Sequence, residues 1–369
     1  MSHGRLNRRG EAKQPRFVIA VASLGDYRGN VVKALKRRLG DKLTIYAGGP
    51  AYSESIRLLD YEQAGVRRLR NYYLKGDVLL QQLPWSALLC AESLILDLNP
   101  RVPHVWLITG VRRLLGRRTM LWGHAWPHAG PGARSDRLRG LLRRLASGLV
   151  AYTETQAQAL RDTLPGRPIQ AAPNALYPAH DMRFELTQQR FRILYVGRIV
   201  AEKKADLLIE AFVRVADRMS GVVLTIVGDG PERAALMERA QASAVADRIE
   251  FPGYISEHER LRPIYAETIV SVSPGYVGLS VTQSLSFGVP MLISRDERHS
   301  PEIEAVRPDF NAEFFETNDA DALGAGLLRF VEHAHVWRHR GPAIVEDCAA
   351  RYSVERMAEG LALALTGEQ

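Results

Sequence analysis

Residues 193–204 read Ile-Leu-Tyr-Val-Gly-Arg-Ile-Val-Ala-Glu-Lys-Lys. An apolar run ends at Gly197, Arg198 follows at once, and Glu202-Lys203-Lys204 comes a few residues later. Ala205 to Val215 then carries Leu207, Leu208, Ala211 and Phe212 at helical spacing. The pattern predicts a buried parallel strand, a glycine turn and a helix, with long cations over the carboxyl end of a sheet. Open α/β sheets place anionic ligands at that end. Arg198 and Lys203 are therefore candidates for a clamp on a diphosphate.

The same alternation runs outward in both directions. In the second half strands are expected at 191–196, 222–227, 248–251, 269–272 and 290–293, and helices at 204–218, 231–244, 256–266, 279–287 and 320–336. In the first half strands are expected at 17–22, 43–47, 93–97, 118–122 and 148–152, and helices at 29–39, 102–115, 134–147 and 154–163. Alternation of this kind is the signature of parallel α/β sheets. The halves share an architecture but no residue-level repeat. Pro165, Pro168, Pro173 and Pro178 punctuate the connection between them. The expected divisions are a polar, basic, disordered tail over 1–15, a first Rossmann-like domain over 16–185, a second over 186–345, and closing helices over 346–369, which pack back on the first domain or stay with the second.

Composition narrows the class. The 369 residues suffice for two domains with separate cores. Two cysteines without a CxxC pattern fit a reducing compartment and no disulfide framework. No apolar run is long enough for a transmembrane helix. Residues 17–24 follow basic residues like a signal peptide, but Gly25-Asp26 ends the run as a strand entering a loop. Residues 1–180 hold 28 Lys and Arg against 12 Asp and Glu, a balance of +16, whereas the whole chain carries +8. The first half thus seeks an anionic partner and the second does not.

Two stretches of the first half are strongly basic: Val111–Arg118 (VRRLLGRR) and Arg134–Arg144 (RSDRLRGLLRR), the latter with Leu138, Leu141, Leu142 and Leu145 on one face. They read as a core-facing stripe with a solvated back, or as an interfacial helix meeting anionic headgroups. Nucleic acid is a weaker reading, since aromatics are not interleaved as stacking platforms.

Three more segments of the second half resemble site-forming turns. Ile226-Val227-Gly228-Asp229-Gly230-Pro231 is a strand end, a glycine turn and a helix start, open to close ligand approach at Gly228. Phe251-Pro252-Gly253-Tyr254-Ile255 is another strand end, with loop backbone placed to read a base edge. Ser273-Pro274-Gly275-Tyr276-Val277-Gly278-Leu279-Ser280 feeds a helix whose first N–H groups suit a phosphate, and Gln283 lies on its first turns within reach of a ribose hydroxyl.

These residues resemble the donor domain of retaining GT-B glycosyltransferases, glycosyltransferase family 4 (group 1). The matching motifs are VGR at 196–198, EKK at 202–204, VGDGPER at 227–233, FPGYI at 251–255 and GLSVTQSLSFGVP at 278–290. In the first half Leu121-Trp122-Gly123-His124 and Ala172-Pro173-Asn174 are similar to shorter family segments. The resemblance implies two facing Rossmann-like domains with parallel sheets and an interdomain cleft. It implies transfer of a sugar from a nucleotide-diphosphate donor to an acceptor hydroxyl with retention of configuration, in surface glycan or lipid-linked polysaccharide synthesis. Arg198 and Lys203 would hold the diphosphate and His124 would face the donor sugar. Gly197, Gly228, Ile255, Gly275, Tyr276, Val277, Gly278, Leu279, Gln283 and Glu302 would line the donor, and Gly25 and Gly29 the acceptor side.

The family's paired carboxylates, E-x7-E, are absent; Gly275 and Gln283 stand in their places. Loop N–H groups at 276–279 are expected to replace part of that contact. No cofactor or metal is expected, the nucleotide sugar being a co-substrate. The expected partners are that donor, a glycan or lipid-linked acceptor, and an anionic membrane met peripherally through the basic first domain, with no nucleic acid. The expected place is the cytoplasm, or the inner face of its membrane. The alternatives are a nucleotide-sugar-binding protein with impaired catalysis, and a GT-B nucleotide-sugar epimerase. Asp319-Ala320-Asp321 mimics a metal motif but sits where a helix should be N-capped. His333, His335 and His339 supply too few ligands on one face for zinc, and Pro127 argues against a helix joining His124 to His128.

Overall fold

A computed structural model describes residues 15–50, 57–74, 78–127, 130, 132–186 and 189–368. The tail expected over 1–15 lies outside these residues except for Pro15, and so does His128. The chain divides into two compact units. The first holds residues up to Val150, Leu160–Gln170 and Leu361 onward; the second holds Ala151–Ala159 and Ala171–Gly360.

The strands of the first sheet are β1 (Phe17–Val21), β2 (Leu43–Gly49), β3 (Arg67–Leu74), β4 (Val78–Gln81), β5 (Ser93–Asp97), β6 (Arg118–Trp122), β7 (Gly148–Ala151) and β8 (Ile169–Ala171). Their order is β4-β3-β2-β1-β5-β6-β7-β8. The helices are α1 (Gly29–Leu39), α2 (Trp85–Cys90), α3 (Pro103–Leu114), α4 (Arg134–Leu145) and α5 (Glu154–Thr163). The central strands pair in parallel, as the alternation predicts, while β3 and β4 form an antiparallel edge hairpin that it does not. On β3 Leu69 and Asn71 are buried between exposed Arg68, Arg70 and Tyr72, the alternation of a strand with one face in solvent.

The second sheet is wholly parallel, in the order β11-β10-β9-β12-β13-β14. Its strands are β9 (Arg192–Val196), β10 (Val223–Val227), β11 (Ile249–Gly253), β12 (Thr268–Ser273), β13 (Met291–Ser294) and β14 (Ala312–Phe315). Its helices are α6 (Ala205–Val215), α7 (Arg233–Gln241), α8 (His258–Ala266), α9 (Ser280–Ser286), α10 (Ala320–Glu332), α11 (Ala334–Tyr352) and α12 (Val354–Thr366), whose last turns belong to the first unit. The run Ile193-Leu-Tyr-Val is apolar throughout because helices cover both sides of β9. Ile193 and Tyr195 join a cluster with Leu208, Phe212, Leu323 and Phe330; Leu194 joins the opposite one with Val281, Leu285, Phe287 and Ile344. Burying a side chain such as Phe212 stabilises the unit by roughly 1.5–3 kcal/mol.

The helix expected over 320–336 breaks at His333, where α10 gives way to α11. Asp319 caps α10, its carboxylate accepting the N–H groups of Asp321 and Ala322, each at 2.9 Å. Among the described residues, no helix is long and apolar enough to cross a membrane, and no three His, Cys, Asp or Glu side chains gather as a metal site.

Candidate functional site

Strand order in the second unit reverses between β9 and β12. Ligand crevices of open sheets lie outside the carboxyl ends of two such strands. Gly197 and Arg198 follow β9, and Pro274 to Val277 follow β12. Neighbouring backbone fixes the turn that bears Arg198: Gly197 N–H donates to Val227 O at 3.0 Å, Ile199 N–H to Asp229 O at 2.8 Å, and Tyr195 Oη to Arg198 O at 2.7 Å. Gly228 has φ +150°, and a Cβ there would lie 1.9 Å from the Gly197 carbonyl oxygen. Only glycine lets the turn after β10 pass this close to the turn after β9.

Both cations meet on Tyr276. Arg198 Nη2 donates to the Tyr276 hydroxyl at 2.9 Å. Lys203 Nζ donates to the Tyr276 carbonyl at 2.7 Å and lies 3.5 Å from the centre of its ring. Burial, with added repulsion from Arg198 and opposing attraction from Glu302, pushes the Lys203 ammonium down to about 8. Lys204 turns elsewhere. It adopts the left-handed conformation, φ 53°, and its Nζ pairs with Glu297 and donates to Asn318 Oδ1 at 2.7 Å.

Gly275 is buried beneath this arrangement. A Cβ at 275 would lie 2.3 Å from Glu202 O and 3.0 Å from the Lys203 Cα. The missing carboxylate is thus tied to the path of the loop, which lies directly on the backbone that carries Lys203. Two residues on, the Val277 N–H donates to His299 Nδ1 at 3.1 Å. Of the N–H groups 276–279 expected to replace part of the carboxylate contact, that of Val277 thus has an internal partner, as buried N–H groups do when one is in reach. Gly278 and Leu279 lead into α9, a helix of only seven residues. Gln283 gives its amide nitrogen to Tyr177 Oη at 2.8 Å, and burial pushes the Tyr177 phenol up to about 12.

Ile255 is buried in the core, and Gly253 O nearby accepts the Gly228 N–H at 2.9 Å. Glu302 is buried, and its Oε1 accepts Asn174 Nδ2 at 2.5 Å. The structure therefore brings Arg198, Lys203, Gly275 and Tyr276 together, with Glu302 acting on Lys203 through its charge, and directs Val277 and Gln283 to internal partners. Three links escape sequence reasoning: Tyr276 as meeting point, His299 on Val277, and Asn174 on Glu302. Only the Pro173-Asn174 motif hints at the last.

In the first unit, exposed His124 follows β6, and its carbonyl accepts Arg139 Nη1 at 2.9 Å. Gly25 lies in the loop after β1, bridged to Leu58, and Gly29 opens α1. Not every arginine of the basic stretches faces solvent. Arg112 is fully buried and donates to the carbonyls of Leu88 at 2.7 Å and Ala91 at 2.9 Å. Arg113 donates to Arg144 O at 3.1 Å and Leu145 O at 3.2 Å. These carbonyls close α2 and α4, where cations are favoured. Nor do the leucines of α4 form one core stripe: Leu142 is buried, whereas Leu138 and Leu141 are 56% and 54% exposed.

Residues 180–340 match the family model described as glycosyl transferases group 1. The match covers most of the C-terminal half, including β9 to β14. Among curated relatives, a GDP-mannose-dependent alpha-(1-6)-phosphatidylinositol dimannoside mannosyltransferase of Mycobacterium tuberculosis is 32% identical over 112 residues, 30% of this chain and 28% of that one. Mannosylfructose-phosphate synthase of Agrobacterium fabrum is 24% identical over 180 residues, 44% of this chain and 39% of that one. The chain thus spans about a third of the length of these relatives. The crystal structure of HepE from Anabaena with UDP superposes with a TM-score of 0.71 at 12% identity, covering 96% of this chain and all of that one. Sucrose-phosphate synthase from Thermosynechococcus elongatus gives 0.62 at 17% identity over 94% and 97%. At such identities the likeness is one of fold, and the fold is that of the GT-B glycosyltransferases.

Proposed function

We propose that this chain moves a sugar from a nucleotide-diphosphate donor to an acceptor hydroxyl with retention of configuration. The convergence of Arg198 and Lys203 on one residue, Tyr276, at the β9/β12 reversal carries the reading. In this reading the donor diphosphate takes the place of Tyr276's hydroxyl and carbonyl. The exchange favours the ligand. Against Tyr276 only the donors carry charge, whereas against a diphosphate both partners do, and such charge-assisted bonds contribute about 1.5–3 kcal/mol each.

In the transfer, the acceptor oxygen bonds to the anomeric carbon on the face from which the diphosphate leaves. The acceptor proton passes to a diphosphate oxygen. The two cations stabilise the charge that builds on the leaving group and stand in for a divalent metal. His124 orients the donor sugar. Incubation with a panel of nucleotide sugars in EDTA, with product anomers read by NMR, tests this. Retained anomers, lost in Arg198→Ala, are expected; inverted products or a strict metal requirement would refute it.

One observation favours a second reading, a nucleotide-sugar-binding protein with impaired catalysis. Gly275 has no room for the family's carboxylate. Binding of a nucleotide sugar with neither transfer nor donor hydrolysis would select it.

The acceptor in this proposal is a glycan or lipid-linked glycan at an anionic membrane. Consecutive right-handed crossovers from β5 through β6 to β7 put α3 and α4 on one side of the first sheet. Their outer turns expose Leu107, Leu114, Leu115, Leu138 and Leu141 in the positively charged half of the chain. Apolar side chains beside arginines suit an interface of anionic headgroups and acyl chains.

A further inference from the structure

Strand order in the first unit reverses between β1 and β5, and a carboxylate stands at that reversal. Asp97 is the last residue of β5 and retains solvent access. Its Oδ2 accepts the Ala22 N–H, at the end of β1, at 2.5 Å. Among the described residues this is the carboxylate's one hydrogen-bond partner, and burial pushes the carboxyl up to about 7. A half-buried carboxylate without a cation is costly to keep, and such groups gather where a ligand supplies the missing donors.

The polar groups around it are already engaged. Asn71 Nδ2 donates to Ala22 O and Pro50 O, both at 2.8 Å. Gln81 Nε2 donates to Asn71 Oδ1 at 2.8 Å, and Tyr73 Oη to Pro50 O at 2.9 Å. On the other side Leu98 N–H donates to Trp122 O at 2.8 Å, which fixes the turn after β5 against β6. A carboxylate has about four acceptor sites, and Ala22 fills one. Asp97 is thus the charged member of this cluster with acceptor capacity left, at the place where open sheets bind ligands.

We propose that Asp97 anchors a sugar at the reversal of the first sheet by accepting hydrogen bonds from its hydroxyl groups. The assignment to the acceptor sugar rests on the transfer reading above; the sugar site itself does not. Asp97→Asn keeps an oxygen for the Ala22 N–H and removes the charge.

Saturation-transfer NMR on the full chain, with methyl α-glucopyranoside and methyl α-mannopyranoside as probes, tests the site, and melting curves check folding of the variant. The wild type should bind at least one glycoside, and Asp97→Asn should weaken it about 10- to 100-fold. In the wild type, the carboxyl carbon resonance of Asp97 should move as the glycoside is added, a readout that needs no variant. No binding to either glycoside, equal binding by the variant, or an unmoved Asp97 resonance overturns the proposal. Parallel titrations with UDP and GDP separate the two claims. Asp97-dependent glycoside binding without nucleotide binding leaves this site standing and removes the transfer reading; the converse removes this site alone.

Discussion

Replacing Lys203 with Met should make the ligand-free protein more stable while it weakens nucleotide-diphosphate binding. The Lys203 amine falls from the ordinary 10.5 to about 8, chiefly through burial. At about 1.4 kcal/mol per pKa unit, holding the charge in place costs on the order of 3 kcal/mol at neutral pH. Methionine keeps the apolar stem without that cost. It loses the bond to the Tyr276 carbonyl and the contact with its ring. Those return roughly 1 kcal/mol and 0.5–1 kcal/mol. A net gain of about 1 kcal/mol remains, or a melting point about 2–4 °C higher for a unit of this size.

The sign follows from linkage. The folded-state pKa lies below the unfolded one, so the cost is fully present below about 8 and vanishes as pH rises to 10.5. The stabilisation should therefore appear at pH 7 and fade toward pH 10.5. Binding of UDP or GDP, whichever the protein prefers, should fall about 10- to 150-fold at pH 7 through loss of one charge-assisted bond. Differential scanning fluorimetry and calorimetric titration read the two effects. A variant that melts lower at pH 7 and binds nucleotide like the wild type would refute the reasoning.

Three other outcomes follow from the same geometry. Tyr276→Phe removes the phenol that Arg198 bonds and should tighten nucleotide-diphosphate binding by about 2- to 10-fold in a calorimetric titration, since part of one hydrogen bond no longer has to be given up; unchanged or weaker binding would show that the hydroxyl does not compete. Gly275→Glu should not restore a family-like site. Its Cβ meets the Glu202 backbone, so a loss of about 1–3 kcal/mol in denaturant unfolding is expected, and a stable, more active variant would contradict the packing. Replacing exposed Leu138 and Leu141 with Ser should reduce sedimentation with phosphatidylglycerol vesicles severalfold without altering nucleotide binding; equal sedimentation would remove α4 from the membrane face.

The second sheet was legible because its strands run apolar on both faces and end on glycine turns, so Gly197, Gly228 and Gly275 marked three strand ends in advance. The β3–β4 hairpin was not, since Arg67-Arg-Leu-Arg-Asn-Tyr-Tyr-Leu alternates charge with few buried residues. The destinations of side chains were less legible than the elements. Arg112 reads as part of a solvated basic face, yet it closes α2, because nothing in sequence marks an arginine that will meet distant carbonyls. Gln283 reads as a helical residue and is one, but its partner Tyr177 lies 106 positions away. Arg198 and Lys203 were legible as a pair; that both would meet on Tyr276 was not, since it depends on Gly275 letting the loop lie on the Glu202 backbone.

The central claim is that Arg198 and Lys203 together hold a nucleotide diphosphate at the β9/β12 reversal. Calorimetric titration of the wild type, Arg198→Ala, Lys203→Ala and the double variant with UDP and GDP tests it most directly. The account predicts wild-type binding of at least one nucleotide, a loss of about 10-fold or more in each single variant, and none measurable in the double variant. Binding of wild-type strength in the double variant, or no binding by the wild type, would contradict it.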